Sequence, residues 1–71
     1  MKERIYKTMV QRYTSEIEDA LLKIDLLLAN VGNNSVMVNH TDITGEINKY
    51  LARAAGASEK LGFLRKFYSN N

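Results

Sequence analysis

The chain has 71 residues, a net charge of +2, and neither cysteine nor proline. A chain of this length forms one domain, with a core that is small unless the protein is cross-linked or associates. Because cysteine is absent, disulfides and thiolate metal sites are excluded, and the sequence predicts a protein of the reducing cytoplasm. The absence of proline, with hydrophobic residues at 45%, favours a folded helical domain over a disordered chain.

The first half of the chain repeats apolar residues in alternating steps of four and three, which is the spacing of one face of a helix. This pattern predicts a helix at about residues 3–31. Its apolar stripe comprises Tyr6, Val10, Tyr13, Ile17, Ala20, Ile24, Leu27 and Val31.

A short connection is predicted at about residues 32–41. Gly32 is a helix C-terminal signal, and Thr41 or Asp42 is predicted to cap the N-terminus of the next helix. The apolar residues 36–38 are predicted to fold back over the neighbouring helices. His40 is the only histidine, and without a second ligand nearby we interpret it as part of helix entry rather than as a metal or general-base site.

The second half of the chain predicts a helix at about residues 42–69. Its stripe comprises Ile43, Ile47, Tyr50, Ala54, Ala57, Leu61, Leu64 and Tyr68. Glycine disfavours helix, and one alternative breaks the helix at Gly56 and restarts it with Ser58 as the cap. We prefer a continuous helix because the apolar phase passes through Gly56 without a slip.

Two matched stripes joined by a short connection predict an all-α fold, an antiparallel two-helix hairpin that forms a single domain over residues 1–71. Folding the stripes together pairs Ala20 with Ala54, and Tyr6 with Tyr68 at the far end. At the middle of the hairpin, small side chains of one helix therefore face small side chains of the other. Either the helices approach closely there, or a side chain from another subunit fills the gap, because an open void costs stability.

The hairpin leaves apolar residues outside the two stripes. A two-helix monomer would expose much of this surface to water, which favours self-association into a homodimer or a larger helical bundle. The predicted oligomer interface comprises Leu21, Leu22, Leu26, Leu28, Leu51, Ala55, Phe63 and Phe67.

Basic residues gather at the end of the hairpin where helix 1 begins and helix 2 ends, which we call the basic pole. Aromatic residues share that end, and rings beside cations are what a nucleotide or another small anion needs. The predicted ligand site, between subunits, comprises Arg4, Tyr6, Lys7, Arg12, Tyr13, Arg65, Lys66 and Tyr68. A competing interpretation assigns these tyrosines to the core, with their hydroxyls at its rim.

The leading functional hypothesis is a non-enzymatic protein that acts as a homo-oligomeric bundle and works by binding another protein, as a regulator, inhibitor or assembly factor. No phosphate-loop or catalytic-triad pattern occurs, and we expect no cofactor and no metal. Sequestration of a nucleotide or small anion is the alternative. Nonspecific nucleic-acid binding is a second alternative, less expected because such surfaces are usually more basic. No membrane insertion is expected, because the most apolar run is short and interrupted by Lys23 and Asp25.

Overall fold

A computed structural model of the chain describes residues 2–32 and 40–69, without the side chains of residues 31–32 and 40–42. Helix α1 spans Lys2–Gly32 and helix α2 spans His40–Tyr68. The predicted all-α hairpin is confirmed. The predicted fold-back of residues 36–38 lies outside the described residues.

The predicted cap of α2 was wrong, because the helix begins at His40 and both Thr41 and Asp42 lie within it. An acidic residue is favoured throughout the first turn of a helix. The sequence signal therefore does not separate a start at residue 40 from a start two residues later. His40 takes the predicted place at helix entry.

The two helices run antiparallel in the predicted register. Asp19 Oδ2 lies 3.7 Å from Arg53 Nη1, one position from the expected pair of Ala20 and Ala54. Towards the basic pole, Lys60 Nζ lies 5.5 Å from the centre of the Tyr13 ring. In both contacts the two residue numbers add up to nearly the same value, as they must when two antiparallel helices keep one register along their length.

The core consists of the two stripes facing each other. Ala20 is 0% exposed and Ala57 is 2% exposed, although neither has a side chain longer than a methyl group. Their burial within a single hairpin is what the first of the two alternatives, a close approach of the helices at the middle, predicts. The other buried apolar residues are Ile24, Ile43 and Leu61.

Helix α2 is continuous through Gly56, as predicted. Within the described residues, a methyl group added at Gly45, Gly56 or Gly62 would meet no other atom within 4 Å. The packing of α1 against α2 therefore gives no reason for these glycines, each of which costs a helix about 1 kcal/mol relative to alanine.

Tyr68 is not a core residue, contrary to its predicted place in the α2 stripe. It is 65% exposed. It is the last residue of α2, so no further turn of that helix follows it, and α1 leaves most of its ring uncovered.

The hairpin is long and thin, with extents of 53 × 15 × 13 Å and a radius of gyration of 16.1 Å. A compact domain of this length has a radius of gyration of about 11 Å. This elongation leaves most side chains on a surface, so the chemistry of the long faces determines what the molecule can bind.

Candidate functional site

Two long faces flank the contact between α1 and α2, and they differ in chemistry. Successive residues of a helix are about 100° apart, so the residues before and after a stripe residue lie on opposite faces. Asp19 precedes the buried Ala20, and Arg53 precedes Ala54. Because Asp19 and Arg53 are in contact, the residues that precede stripe positions lie on the same face of both helices. Leu21 follows Ala20 and lies on the other face.

The charged face carries the residues that precede stripe positions. Asp19 binds Lys23 at 3.1 Å as well as Arg53, and Glu46 binds Lys49 at 3.4 Å. Lys23, Lys49 and Arg53 lie 5.7, 5.6 and 5.4 Å from the centre of the Tyr50 ring. These charges have partners within the hairpin and remain in contact with water.

The ion pair between Asp19 and Arg53 is expected to contribute little to stability. Both side chains are nearly half exposed, and exposed pairs are worth up to about 1 kcal/mol. We expect Asp19→Asn to lower the free energy of unfolding by less than about 1 kcal/mol, measured by urea unfolding, with the difference shrinking in added salt. A loss of several kcal/mol would show that this face is dehydrated in solution, contrary to its exposure.

The opposite face, which we call the leucine face, carries mainly uncharged residues over its central length. They include Thr14, Leu21, Leu28, Leu51, Ala55, Ser58 and Gly62. Leu21, Leu28 and Leu51 are each about half exposed in the hairpin, and Leu21 and Leu51 face each other across the two helices in the observed register. Its charges lie at the basic pole, where Lys7 and Arg65 are found, and along its outer edge on α1, where Glu18 and Asp25 are found.

The residues predicted as one oligomer interface divide between surfaces. Leu21, Leu28, Leu51 and Ala55 lie on the leucine face. By the same helical phase, Leu26, Phe63 and Phe67 lie on the charged face, and Leu22 lies on the outer surface of α1. All eight are exposed. Sequence reasoning missed the division, although the signal is present: charged residues are about twice as frequent before stripe residues as after them.

A cleft opens between the helices at the basic pole. It has a volume of about 860 Å³ and is lined by Lys2, Glu3, Ile5, Tyr6, Met9, Leu64, Phe67, Tyr68 and Ser69. The Phe67 ring stacks on Phe63 with 5.6 Å between ring centres, and Lys66 Nζ lies 5.5 Å from the centre of the Phe67 ring. Aromatic and aliphatic residues therefore make up most of the lining, together with Lys2, Glu3 and Ser69.

Two of the residues predicted to bind ligand, Tyr6 and Tyr68, line this cleft, and the others do not. Tyr13 lies one turn further in, with its ring covered by Lys60. By helical phase, Lys7 and Arg65 lie on the leucine face at the basic pole, and Arg4 lies one turn from Lys7. Arg12 lies on the charged face and Lys66 on the outer surface of α2. The basic side chains of the pole therefore lie on different surfaces of the hairpin and do not converge on the cleft.

The described part of the chain offers little chemistry of other kinds. Residues 2–32 and 40–69 contain no group of three potential metal ligands. Over the same ranges, neither helix combines the length and hydropathy needed to cross a membrane. No family model, curated protein or solved structure matches the chain. Functional inference therefore rests on the faces and the cleft.

Proposed function

We propose that the chain is a non-enzymatic binding protein that acts as a homo-oligomer, in which hairpins pack into a helical bundle and engage a protein partner as a regulator, inhibitor or assembly factor. The observation that carries this proposal is that the chain exposes more surface to solvent than a compact protein of the same mass. The chain exposes 5658 Å², whereas a compact monomer of 8.1 kDa exposes roughly 4,500 Å². The excess, roughly 1,200 Å², is more than the roughly 800 Å² that each partner buries in a standard interface.

The distribution of polar groups supports binding over catalysis. In the described part of the chain, no polar or charged residue is buried, and no buried side-chain polar atom lacks a hydrogen-bond partner. Catalytic groups are usually held in partly buried, water-excluded positions where their protonation is shifted and their geometry is fixed. The faces of this hairpin instead offer exposed apolar side chains, which are suited to contact with another helix.

Sedimentation equilibrium tests the assembly part of the proposal. Across roughly 1–100 μM, a range that covers micromolar dissociation constants, the fitted mass is expected to reach at least twice the 8.1 kDa of one chain. Circular dichroism on the same samples reports whether the helices remain folded. A folded chain that keeps the mass of one hairpin at the highest concentration would refute the proposal.

The cleft at the basic pole supports a second candidate, the sequestration of a nucleotide or similar planar anion. Its volume of about 860 Å³ falls within the roughly 300–1,000 Å³ of small-molecule sites, and Tyr6 and Tyr68 offer aromatic rings for stacking. Among the cations, Lys2 lines the cleft and Lys66 lies over the Phe67 ring. Charge therefore contributes less here than stacking.

Native mass spectrometry and thermal shift with adenine and guanine nucleotides test this second candidate. We expect a bound nucleotide to raise the melting temperature of the natural sequence, and Tyr68→Ala to abolish the shift, because this exposed ring supplies contact area to the cleft. Leu26→Ala is the matched control, since Leu26 is also exposed but lies away from the pole. Bare subunits with no shift from any nucleotide would count against sequestration.

A further inference from the structure

We infer that the leucine face is the surface through which a second copy of this chain packs, with the two hairpins face to face and their tips at opposite ends. The inference rests on the proposed function, since it specifies how the homo-oligomer is built. Its occupant is a second hairpin because the surface that the chain exposes beyond a compact monomer is enough for one standard interface, and a two-fold axis would place like surfaces together.

Desolvation distinguishes the two long faces. Burying the charged face would remove Asp19, Lys23, Arg53 and their neighbours from water, and the cost of dehydrating charges is commonly larger than their mutual attraction. The leucine face has charges only at the basic pole and along its α1 edge, so burying its centre removes fewer charges from water. The large apolar side chains covered there would be Leu21, Leu28 and Leu51, which each leave about half of their surface exposed in one hairpin.

Gly62 is compatible with this contact. Gly62 follows Leu61, as Ala55 follows Ala54, so both lie on the α2 edge of the leucine face. A methyl group at Gly62 meets nothing within 4 Å in the hairpin, as is also true of Gly56 on the charged face. The missing side chain at Gly62 leaves room for a side chain of the second copy, so this glycine fits the proposed contact but does not by itself select the face.

The charges along the edge of α1 determine the relative direction of the two copies. Lys7 follows Tyr6 and lies near the basic pole, whereas Glu18 and Asp25 follow Ile17 and Ile24 and lie towards the tip. If the tips were together, Lys7 would approach Arg65 of the other copy. If the tips are opposed, α1 lies antiparallel to the second α1, and its basic end meets the acidic stretch. The second arrangement pairs unlike charges.

Matched substitutions on the two faces test the location of the contact. Sedimentation equilibrium is expected to show an association constant at least about tenfold weaker for Leu51→Lys, which places a charge on the apolar face within reach of Arg65 of the other copy. Leu26→Lys, similarly exposed but on the charged face, is expected to leave association within about threefold of the natural sequence. Gly62→Ala is expected to weaken association, while Gly56→Ala, on the charged face, is expected to leave association unchanged and to stabilise the helix.

A charge exchange tests the direction of the two copies with residues that are exposed in the hairpin, so folding is preserved. Lys7→Glu and Asp25→Lys are each expected to weaken association about threefold to tenfold. Combining them is expected to restore it, because the exchanged charges again face their opposites. Failure of the double variant to recover would overturn the tip-opposed arrangement.

The outcomes separate this inference from the proposed function. If the natural sequence is a folded monomer at every concentration, both fall. If it associates, but Leu26→Lys disrupts association and Leu51→Lys does not, the bundle stands and the leucine face is the wrong surface. Circular dichroism must show unchanged helix content for Leu51→Lys, and the glycine pair gives a reading that does not depend on an introduced charge.

Discussion

Replacing Leu61 with alanine is expected to lower the free energy of unfolding by about 2–4 kcal/mol, the usual cost of truncating a buried leucine. Leu61 is 8% exposed and packs in the register that places Lys60 over Tyr13. Truncation removes its apolar contacts and leaves a void that two rigid helices close only in part. For a hairpin with so small a core, a loss of this size removes much of the native stability.

Urea unfolding followed by circular dichroism measures this loss. Protein concentration must be held constant, because self-association contributes to apparent stability. Leu26→Ala is the control, since Leu26 is 57% exposed and lies outside both the core and the leucine face. Equal losses for the two variants would contradict the assignment of the core to the facing stripes.

Enlarging the middle of the hairpin is expected to be nearly as costly. Ala20 is completely buried where the helix backbones approach closely, so Ala20→Leu inserts a branched side chain where no space exists. Overpacking of this kind costs about 1–3 kcal/mol, and more when the backbone cannot move. We expect the helices to separate locally, with a lower melting temperature and faster amide exchange near Ala57.

Ala52→Leu provides the matched control for overpacking. Ala52 is exposed on the outer surface of α2, and leucine has nearly the helix propensity of alanine, so little change is expected. If Ala20→Leu were tolerated equally well, the close approach of α1 and α2 at Ala20 would be incorrect.

The sequence predicts the hairpin well because two independent signals agree. The stripes of α1 and α2 have the same length and the same alternation of steps, so only one register buries both. The closeness of the helices at Ala20 follows from residue size alone. By contrast, the N-terminus of α2 depends on backbone hydrogen bonds that several residues near Thr41 can satisfy, so the pattern leaves its first residue open.

The candidate site is predicted less completely, for geometric reasons. Assigning Leu21 and Leu51 to one face requires knowing that residues after stripe positions of two antiparallel helices lie on the same side, which appears once the pairing is fixed by Asp19 and Arg53. The exposure of Tyr68 depends on where α2 ends. The sequence likewise predicts many basic residues at the basic pole, but the face on which each one lies follows from helical phase.

The register also orders the stabilities of different parts of the hairpin. Contacts between the helices span 27 positions at Lys23 and Tyr50 but 47 positions at Tyr13 and Lys60, so the chain entropy lost in closing each contact rises towards the basic pole. The hairpin is therefore expected to zip from the tip side during folding and to fray first around Tyr6. A ligand that stacks in the cleft there would stabilise the part of the molecule that opens most easily.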